Sequence, residues 1–472
     1  MTRESPVEAE NHGLPEESGV IPEQSTAEQN ISGTSSAEEH DEGGATTESS
    51  AARIYLPPVR AKLPLRTAVA VRAAKITSRL SRSLGFGAGG MIGGRVALKL
   101  DPLALGRLCA GRRVALVTGT NGKTTTTLML STAVAALGRV ASNHSGANMP
   151  DGLVSALASQ PAAPIAVLEV DEGYFPAVAQ QVRPEVVVLL NLSRDQLDRV
   201  GEVRGVERAL RTVVTDLADC TVVANCDDVM MTSAAFDAPS VIWVSTGIGW
   251  HADSASCPRC GSPVVRDEIR WHCDCGLRRP EPDWAASRGE LVVPGRPGPE
   301  RLTLELALPG AVNEANAAMA TAAANAMGAA VAESVARLRA LRNVAGRYRV
   351  IERTGHTARL LLAKNPAGWT ETLTMLDGTD SPVVVAVNGR EADGRDLSWL
   401  WDVPFERLHG RPVIAAGERA TDLAVRLTYA EVDHVVVPDS LRAIDLAQTG
   451  PVEVIANYTA FRDLNVKASH AH

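Results

Sequence analysis

Aromatic side chains are scarce in this 472-residue sequence, at 4% of positions, and no uninterrupted apolar run reaches eighteen residues. A membrane-spanning helix needs about twenty apolar residues, so none is expected. The N-terminus also lacks an apolar core followed by a cleavage site, which argues against a secretory signal. Seven cysteines in so long a chain are too few for a disulfide framework, and four of them cluster. That distribution points to a reducing cytosol and to metal rather than crosslinks.

The charge is unevenly spread. Residues 1–50 hold twelve Asp/Glu against Arg3 alone, whereas the rest of the chain carries 46 basic and 43 acidic residues. A body near neutrality, at +3, lacks the basic footprint that nucleic-acid binding requires. The first fifty residues contain no Phe, Trp or Tyr and are rich in Glu, Ser, Thr and Gly. Such a segment buries too little apolar surface to offset its ordering entropy, so residues 1–52 read as a disordered acidic tail.

A basic amphipathic stretch from Ile54 to Leu108 follows and reads as a helical lead-in packed on the next domain, with a membrane surface as the other option. Apolar runs at Val114–Thr118, Ile165–Val170, Val186–Leu190, Thr221–Ala224 and Val241–Ser245 then alternate with helical patterns. That alternation predicts a mainly parallel sheet covered on both faces. The pattern breaks at 251–300, resumes in the alanine-rich segment Asn313–Ala330, and starts a second strand–helix series after Gly346. The expected division is a tail over 1–52, a first α/β domain over 53–345 with an insert at 251–300, and a second α/β domain over 346–472.

The sharpest chemical signal is Val114-Ala-Leu-Val-Thr-Gly119-Thr120-Asn121-Gly122-Lys123-Thr124-Thr125. A buried strand runs into a glycine-rich turn, and a helix opens at once. That arrangement aims backbone N–H groups and a helix dipole at an anion. Lys123 then suits nucleotide phosphates and Thr124 suits Mg²⁺. Only two residues separate Gly119 from Gly122, fewer than in the usual phosphate loop. The next apolar run ends in Glu169, Asp171 and Glu172, and carboxylates at the C-terminal end of a parallel strand face the ligand crevice. Glu169, which follows four apolar residues, is the strongest Mg²⁺ candidate.

Cys257-Pro-Arg-Cys260-Gly and Cys273-Asp-Cys275-Gly read as a zinc ribbon. Four thiolates suit tetrahedral Zn²⁺ and make a closed, structural site. The one-residue gap between Cys273 and Cys275 either strains the chelate or lets His272 replace a thiol. Cys109, Cys220 and Cys226 sit in or beside apolar segments and read as small core residues.

Several blocks together resemble the Mur ligase superfamily, which joins amino acids to muropeptides or folates. These are Gly119-Thr-Asn-Gly-Lys-Thr-Thr, Asn191-Leu-Ser-Arg194-Asp195-Gln196-Leu-Asp198, Asn225-Cys-Asp227-Asp228, Leu308-Pro-Gly310-Ala-Val-Asn313-Glu-Ala-Asn316 and Gly346-Arg347. A histidine is usual where Gln196 stands. The resemblance implies a Mur ligase-like ATPase domain followed by a Rossmann-like domain. It also implies ATP contacts by Asn313, Asn316 and Arg347 beside the loop 119–125. Little more than a helical lead-in precedes the loop, and Leu362-Ala-Lys364-Asn365-Pro366 replaces the usual Asp-Tyr-Ala-His-Asn-Pro block. With the cysteine cluster and the polar-aromatic block Asn388–Asp402, these departures resemble the MurT branch, the synthetase subunits of lipid II isoglutaminyl synthase.

That branch implies ATP-dependent amidation of the α-carboxyl of D-glutamate in the stem peptide of lipid II, through an acyl phosphate. Lys123 and Arg347 would offset charge on the phosphates. Ammonia would come from a GatD-type glutaminase subunit, because no nucleophile for glutamine is evident here. Asp396, or alternatively Asp393, would complete that partner's Cys–His pair across the interface. The implied location is the cytoplasm, at the inner membrane face. Two other readings remain: a self-sufficient ligase adding an amino acid, and a non-enzymatic ATP-binding scaffold carrying zinc.

Overall fold

The computed structural model describes residues 63–83, 90–143, 146–194, 203–247, 252–267, 270–295, 298–342, 348–353, 355–377 and 379–470. All of them belong to one compact unit, 57–472. The expected acidic tail lies outside the described residues.

The larger sheet contains β1 (Arg113–Thr118), β2 (Val140–Ser142), β3 (Ile165–Glu169), β4 (Val186–Leu189), β5 (Thr221–Asn225) and β6 (Val241–Ser245). After a small hairpin, β7 (Val265–Arg266) and β8 (Trp271–His272), it is completed by β9 (Trp284–Ser287), β10 (Glu290–Val293) and β11 (Glu300–Thr303). Its order is β11-β10-β9-β6-β5-β4-β1-β3-β2, parallel from β2 to β9 and antiparallel at the β9-β10-β11 edge. The expected apolar runs become these parallel strands because both of their faces are covered. Val187, Val188, Ala115, Leu116 and Val167 have no exposed surface.

Strand β1 lies between β3 and β4, so the chain leaves its C-terminal end where the connections diverge to opposite sides. That switch point is where an open parallel sheet forms a ligand crevice. The helix Lys123–Val134 starts there and packs against the helix Ala311–Ala326. Alanine permits this close approach, and Ala317, Ala318, Ala320, Ala322, Ala323 and Ala324 are fully buried.

The interval 251–300 is not one irregular insert. Strands β9 and β10 join the main sheet through a tight turn in which Arg288 (φ 52°) and Gly289 (φ 79°) are both left-handed, the conformation that two-residue hairpins favour. Only the segment before β9 stands apart as a ribbon. The smaller sheet has β12 (Tyr348–Arg353), β13 (His356–Leu362), β14 (Val383–Ala386), β15 (Val413–Ala416), β16 (His434–Val436) and β17 (Gly450–Ala456), ordered β12-β13-β17-β14-β15-β16. Apart from the antiparallel β12-β13 hairpin it is parallel.

Candidate active site

The turn after β1 tolerates only glycine at two positions. Gly119 has φ +139°, and a Cβ there would lie 2.9 Å from the Asn191 carbonyl oxygen. Gly122 has φ +81°, and its Cβ would lie 2.6 Å from Asn316 Oδ1. The end of β4 holds the turn in shape. Asn191 accepts from the Asn121 N–H at 2.8 Å and donates its amide to the Asn121 carbonyl at 3.1 Å. Thr120 Oγ1 accepts from Ser193 N at 3.0 Å. This clamp gives the Asn191-Leu-Ser block a positioning role.

Lys123 is buried and curls over the turn, donating to the carbonyls of Gly119 and Thr120 and to Glu172 at 2.9 Å. Burial pushes the Glu172 carboxyl above its ordinary value, and the Lys123 ammonium opposes that rise. Thr124 Oγ1 donates to Glu169 Oε2 at 2.9 Å, while Asn148 Nδ2 approaches the other oxygen at 3.3 Å. Asn143 brackets the Glu169 backbone through both its N–H and its carbonyl, at 2.8 Å each. A hydroxyl and a carboxylate so placed at a helix N-terminus are the oxygen donors Mg²⁺ prefers. Asp171 instead accepts from Gly173 N–H within its own turn.

A cleft opens between the turn and the second sheet. One wall is Asn121, Gly122, Thr125, Val312, Asn313 and Asn316; the other is Tyr348, Leu362, Lys364, Gly368, Glu371 and Met375. Asn313 donates to the Pro309 carbonyl at 2.6 Å and Asn316 accepts from Thr126 Oγ1 at 3.1 Å. The walls are joined by a reciprocal amide pair, Asn121 with Asn365, at 3.1 and 3.2 Å. Asn365 also caps the helix Pro366–Thr374 by accepting from Gly368 N–H. Arg347, together with Gly346, Asp195, Gln196 and Asp198, lies outside the described residues.

Sequence reasoning missed Glu371. Its carboxylate faces the cleft with no hydrogen-bond partner among the described residues, and burial alone raises its pKa to about 7. No local motif signals it; its position in the helix that Asn365 caps sets its direction. The Asn225-Cys-Asp227-Asp228 turn is consumed structurally. Asp227 accepts from Thr246 N–H, Gly247 N–H and Arg279, and Asp228 caps the helix Val229–Ala235.

The ligand atoms of Cys257, Cys260, Cys273 and Cys275 all lie within 4.8 Å of one another. The Cys257–Cys275 sulfurs are 3.7 Å apart and the Cys260–Cys273 pair 3.4 Å. Thiolates about 2.3 Å from a tetrahedral zinc stand about 3.8 Å apart, so the four fit that ion. His272 lies outside the group, its backbone paired with Val265 and Arg278. The ribbon seats on the turn after β5 through Trp271, which donates to the Cys226 carbonyl at 3.2 Å, and on the helix Val229–Ala235 through Arg259, which donates to the Ser233 carbonyl at 2.6 Å. Cys109 and Cys220 are buried, with pKa values pushed up to about 12 by desolvation, as inert core thiols should be.

The two aspartates of the polar-aromatic block have different surroundings. Asp393 is buried and accepts from Thr459 N–H at 2.8 Å and from the Thr459 hydroxyl. Asp396 is exposed and, among the described residues, accepts only from Ser398 N–H, at 2.8 Å. Trp399 stacks on Trp369 in the core, whereas Trp401 is 55% exposed beside Tyr429. The opposition of the two tryptophans comes from a 3-10 turn, Ser398–Asp402, rather than from extended chain.

Residues 117–259 match the Mur ligase middle domain family and residues 362–461 match the MurT ligase C-terminal family. The chain is 29% identical over 427 residues to the MurT subunit of lipid II isoglutaminyl synthase (glutamine-hydrolyzing) from Staphylococcus aureus strain N315, covering 84% of this chain and 96% of that protein. It is 27% identical to the Streptococcus pneumoniae subunit of the same name, over 80% of this chain and 93% of the relative. Among solved structures, a pseudomurein peptide ligase type C from Methanothermus fervidus shares the fold with a TM-score of 0.61 at 20% identity, covering 76% of this chain and 79% of that one.

Proposed function

Because the chain belongs to the MurT branch of the Mur ligase superfamily, we propose that it is the synthetase subunit of lipid II isoglutaminyl synthase, an ATP-dependent ligase. The observation that carries this is the Thr124–Glu169 pair beside Lys123, with Lys123 and Thr124 lying in the chain between Gly122 and Thr125 of a cleft also lined by Asn313 and Asn316.

A carboxylate and ammonia do not condense in water without activation. Here the carboxylate oxygen of the stem-peptide D-glutamate attacks the γ-phosphorus of ATP, releasing ADP and forming an acyl phosphate. Ammonia then attacks the acyl carbon and inorganic phosphate leaves, giving D-isoglutamine. The turn's N–H groups, the helix dipole and Lys123 stabilise the phosphate charge in both steps. Mg²⁺ held by Thr124 and Glu169 would neutralise phosphate charge further. Zn²⁺ on the four cysteines would stabilise the ribbon without touching substrate.

Ammonia comes from a glutaminase partner of the GatD type, since Cys109, Cys220 and Cys226 are buried and the other four cysteines form the cluster. Asp396 is the aspartate offered to that partner, because Asp393 is committed to Thr459. Among the described residues no helix is long and apolar enough to cross a membrane, and the reaction is assigned to the cytoplasm.

The test is product mass and ATP turnover with a lipid II-type substrate, glutamine and the glutaminase, each omitted in turn, with ammonium chloride replacing glutamine in one arm. Replacement of one hydroxyl by an amine, also from ammonium alone, supports the proposal. Addition of an amino-acid residue without a partner contradicts it and favours a self-sufficient ligase.

A further inference from the structure

The first helix, Leu65–Ser83, is packed inside out. Its buried side is made of small residues, Thr67, Ala70, Ala74 and Ser81, while Leu65, Val69, Ile76 and Leu80 are 81, 50, 59 and 56% exposed. At 100° per residue those four lie within a stripe about 60° wide. Its partner, the helix Gly90–Leu100, repeats the pattern. It buries Gly93, Gly94 and Ala97 and exposes Met91 and Ile92. The contact is tight enough that a Cβ on Gly93 would lie 2.7 Å from the Ala74 carbonyl oxygen. Close packing through small residues with large apolar side chains turned outward is how helices associate in a lipid environment. In water that arrangement leaves the large apolar side chains unburied.

Charge indicates what covers the stripe. Neither helix contains an acidic residue, and Arg72, Lys75 and Arg79 run along one flank of the stripe. All three are exposed and none is ion-paired with a carboxylate among the described residues. An apolar stripe beside unpaired cations has the chemistry of an interfacial helix on an anionic bilayer. The acidic stretch 1–50 matches the charge but contains no aromatic residue to cover the apolar side chains.

Position in the fold links this face to the site. The second helix touches the backbone of the helix Pro150–Ser159, where a Cβ on Gly94 would overlap the Asp151 carbonyl. Asn148, just before that helix, donates to Glu169. We infer that this helical pair is a docking surface for an anionic lipid bilayer, holding the active site against the membrane that carries its substrate. The substrate clause rests on the function proposed above; the docking surface itself does not.

The test is co-sedimentation of the full chain, in complex with its glutaminase partner, with vesicles of phosphatidylglycerol and phosphatidylcholine or of phosphatidylcholine alone. The expected result is salt-sensitive binding to the anionic vesicles. It should fall about a hundredfold in Arg72→Glu/Lys75→Glu/Arg79→Glu and be lost in Leu65→Ser/Val69→Ser/Ile76→Ser/Leu80→Ser. Both variants should keep ATP turnover on a soluble precursor, because these side chains lie outside the core and the site. Absence of vesicle binding, or binding unchanged in both variants, overturns the inference. So does crosslinking of Lys75 to carboxyls of residues 1–50 in a wild-type complex that ignores vesicles, which would assign the face to the chain's own acidic segment. Amidation failing while vesicle binding persists would instead contradict the proposed function alone.

Discussion

Glu169 and Thr124 share a 2.9 Å hydrogen bond within a shell made by Asn148 and Asn143. Glu169→Gln keeps the shape of that shell and removes a charge. Its expected effect is a loss of about 10²–10³-fold in ATP turnover, with the thermal midpoint nearly unchanged. Steady-state kinetics beside thermal unfolding checks both halves. Glu371 makes a different prediction. Its carboxyl keeps its proton up to about pH 7 in the folded protein, against 4.5 for an ordinary glutamate. Between those values the folded state binds more protons than the unfolded chain, so rising pH costs stability; below the window there is no penalty and above it the penalty is complete. Glu371→Gln should therefore gain thermal stability over the parent at about pH 8 but not at about pH 4, measured by thermal unfolding at both. An equal difference at the two would contradict a desolvated carboxyl on this wall of the cleft.

Short elements carry the next two predictions. In the block that contains both aspartates, Asp393 holds Thr459 and Asp396 faces solvent. Asp393→Asn should cost about 1.5–3 kcal/mol in denaturant unfolding, because a charged acceptor is lost in a buried place. Asp396→Asn should leave stability within about 0.5 kcal/mol. Its glutamine-dependent amidation should fall about 10²–10⁴-fold while ammonium-dependent amidation persists. For the ribbon, the four thiols close on a single point and their neighbours Trp271 and Leu277 are buried with Val229. Removing zinc with a chelator should release one ion per chain and lower the thermal midpoint by at least about 3 °C. Metal analysis and calorimetry read this out.

The same elements show what local sequence can reveal. Strands β1 and β3 to β6 were legible because strands buried on both faces read as continuous apolar runs. The turn 119–122 was legible because its chemistry is packed into adjacent residues. Strands β9 and β10 were not, since buried residues alternate with less buried ones along each of them and their turn is marked by an Arg-Gly pair. Asn191 and Asn365 stand in motif blocks, but their contacts with the turn escaped for another reason. Their partner, Asn121, lies 70 residues away from the first and 244 from the second, and no local pattern encodes such contacts. Glu371 gave no sign because its wall of the cleft exists only once the second sheet is in place.

In the molecule as a whole, the two sheets meet at a cleft where the phosphate turn contributes one wall and the helix Pro366–Thr374 the other. The Asn121–Asn365 pair closes that cleft at the turn itself. Asn313 and Asn316 of the helix Ala311–Ala326 line this space with Gly122 and Thr125, which flank Lys123 and Thr124 in the chain; the proposed phosphoryl transfer to a carboxylate would take place there. The proposed function requires that ATP activate a carboxylate oxygen and that this oxygen leave with phosphate. The most direct measurement uses a lipid II-type substrate whose glutamate α-carboxyl carries ¹⁸O in both positions, incubated with ATP and ammonium. The account predicts one ¹⁸O in the inorganic phosphate and one in the amide for every product formed. Amide product accompanied by unlabelled phosphate would contradict it.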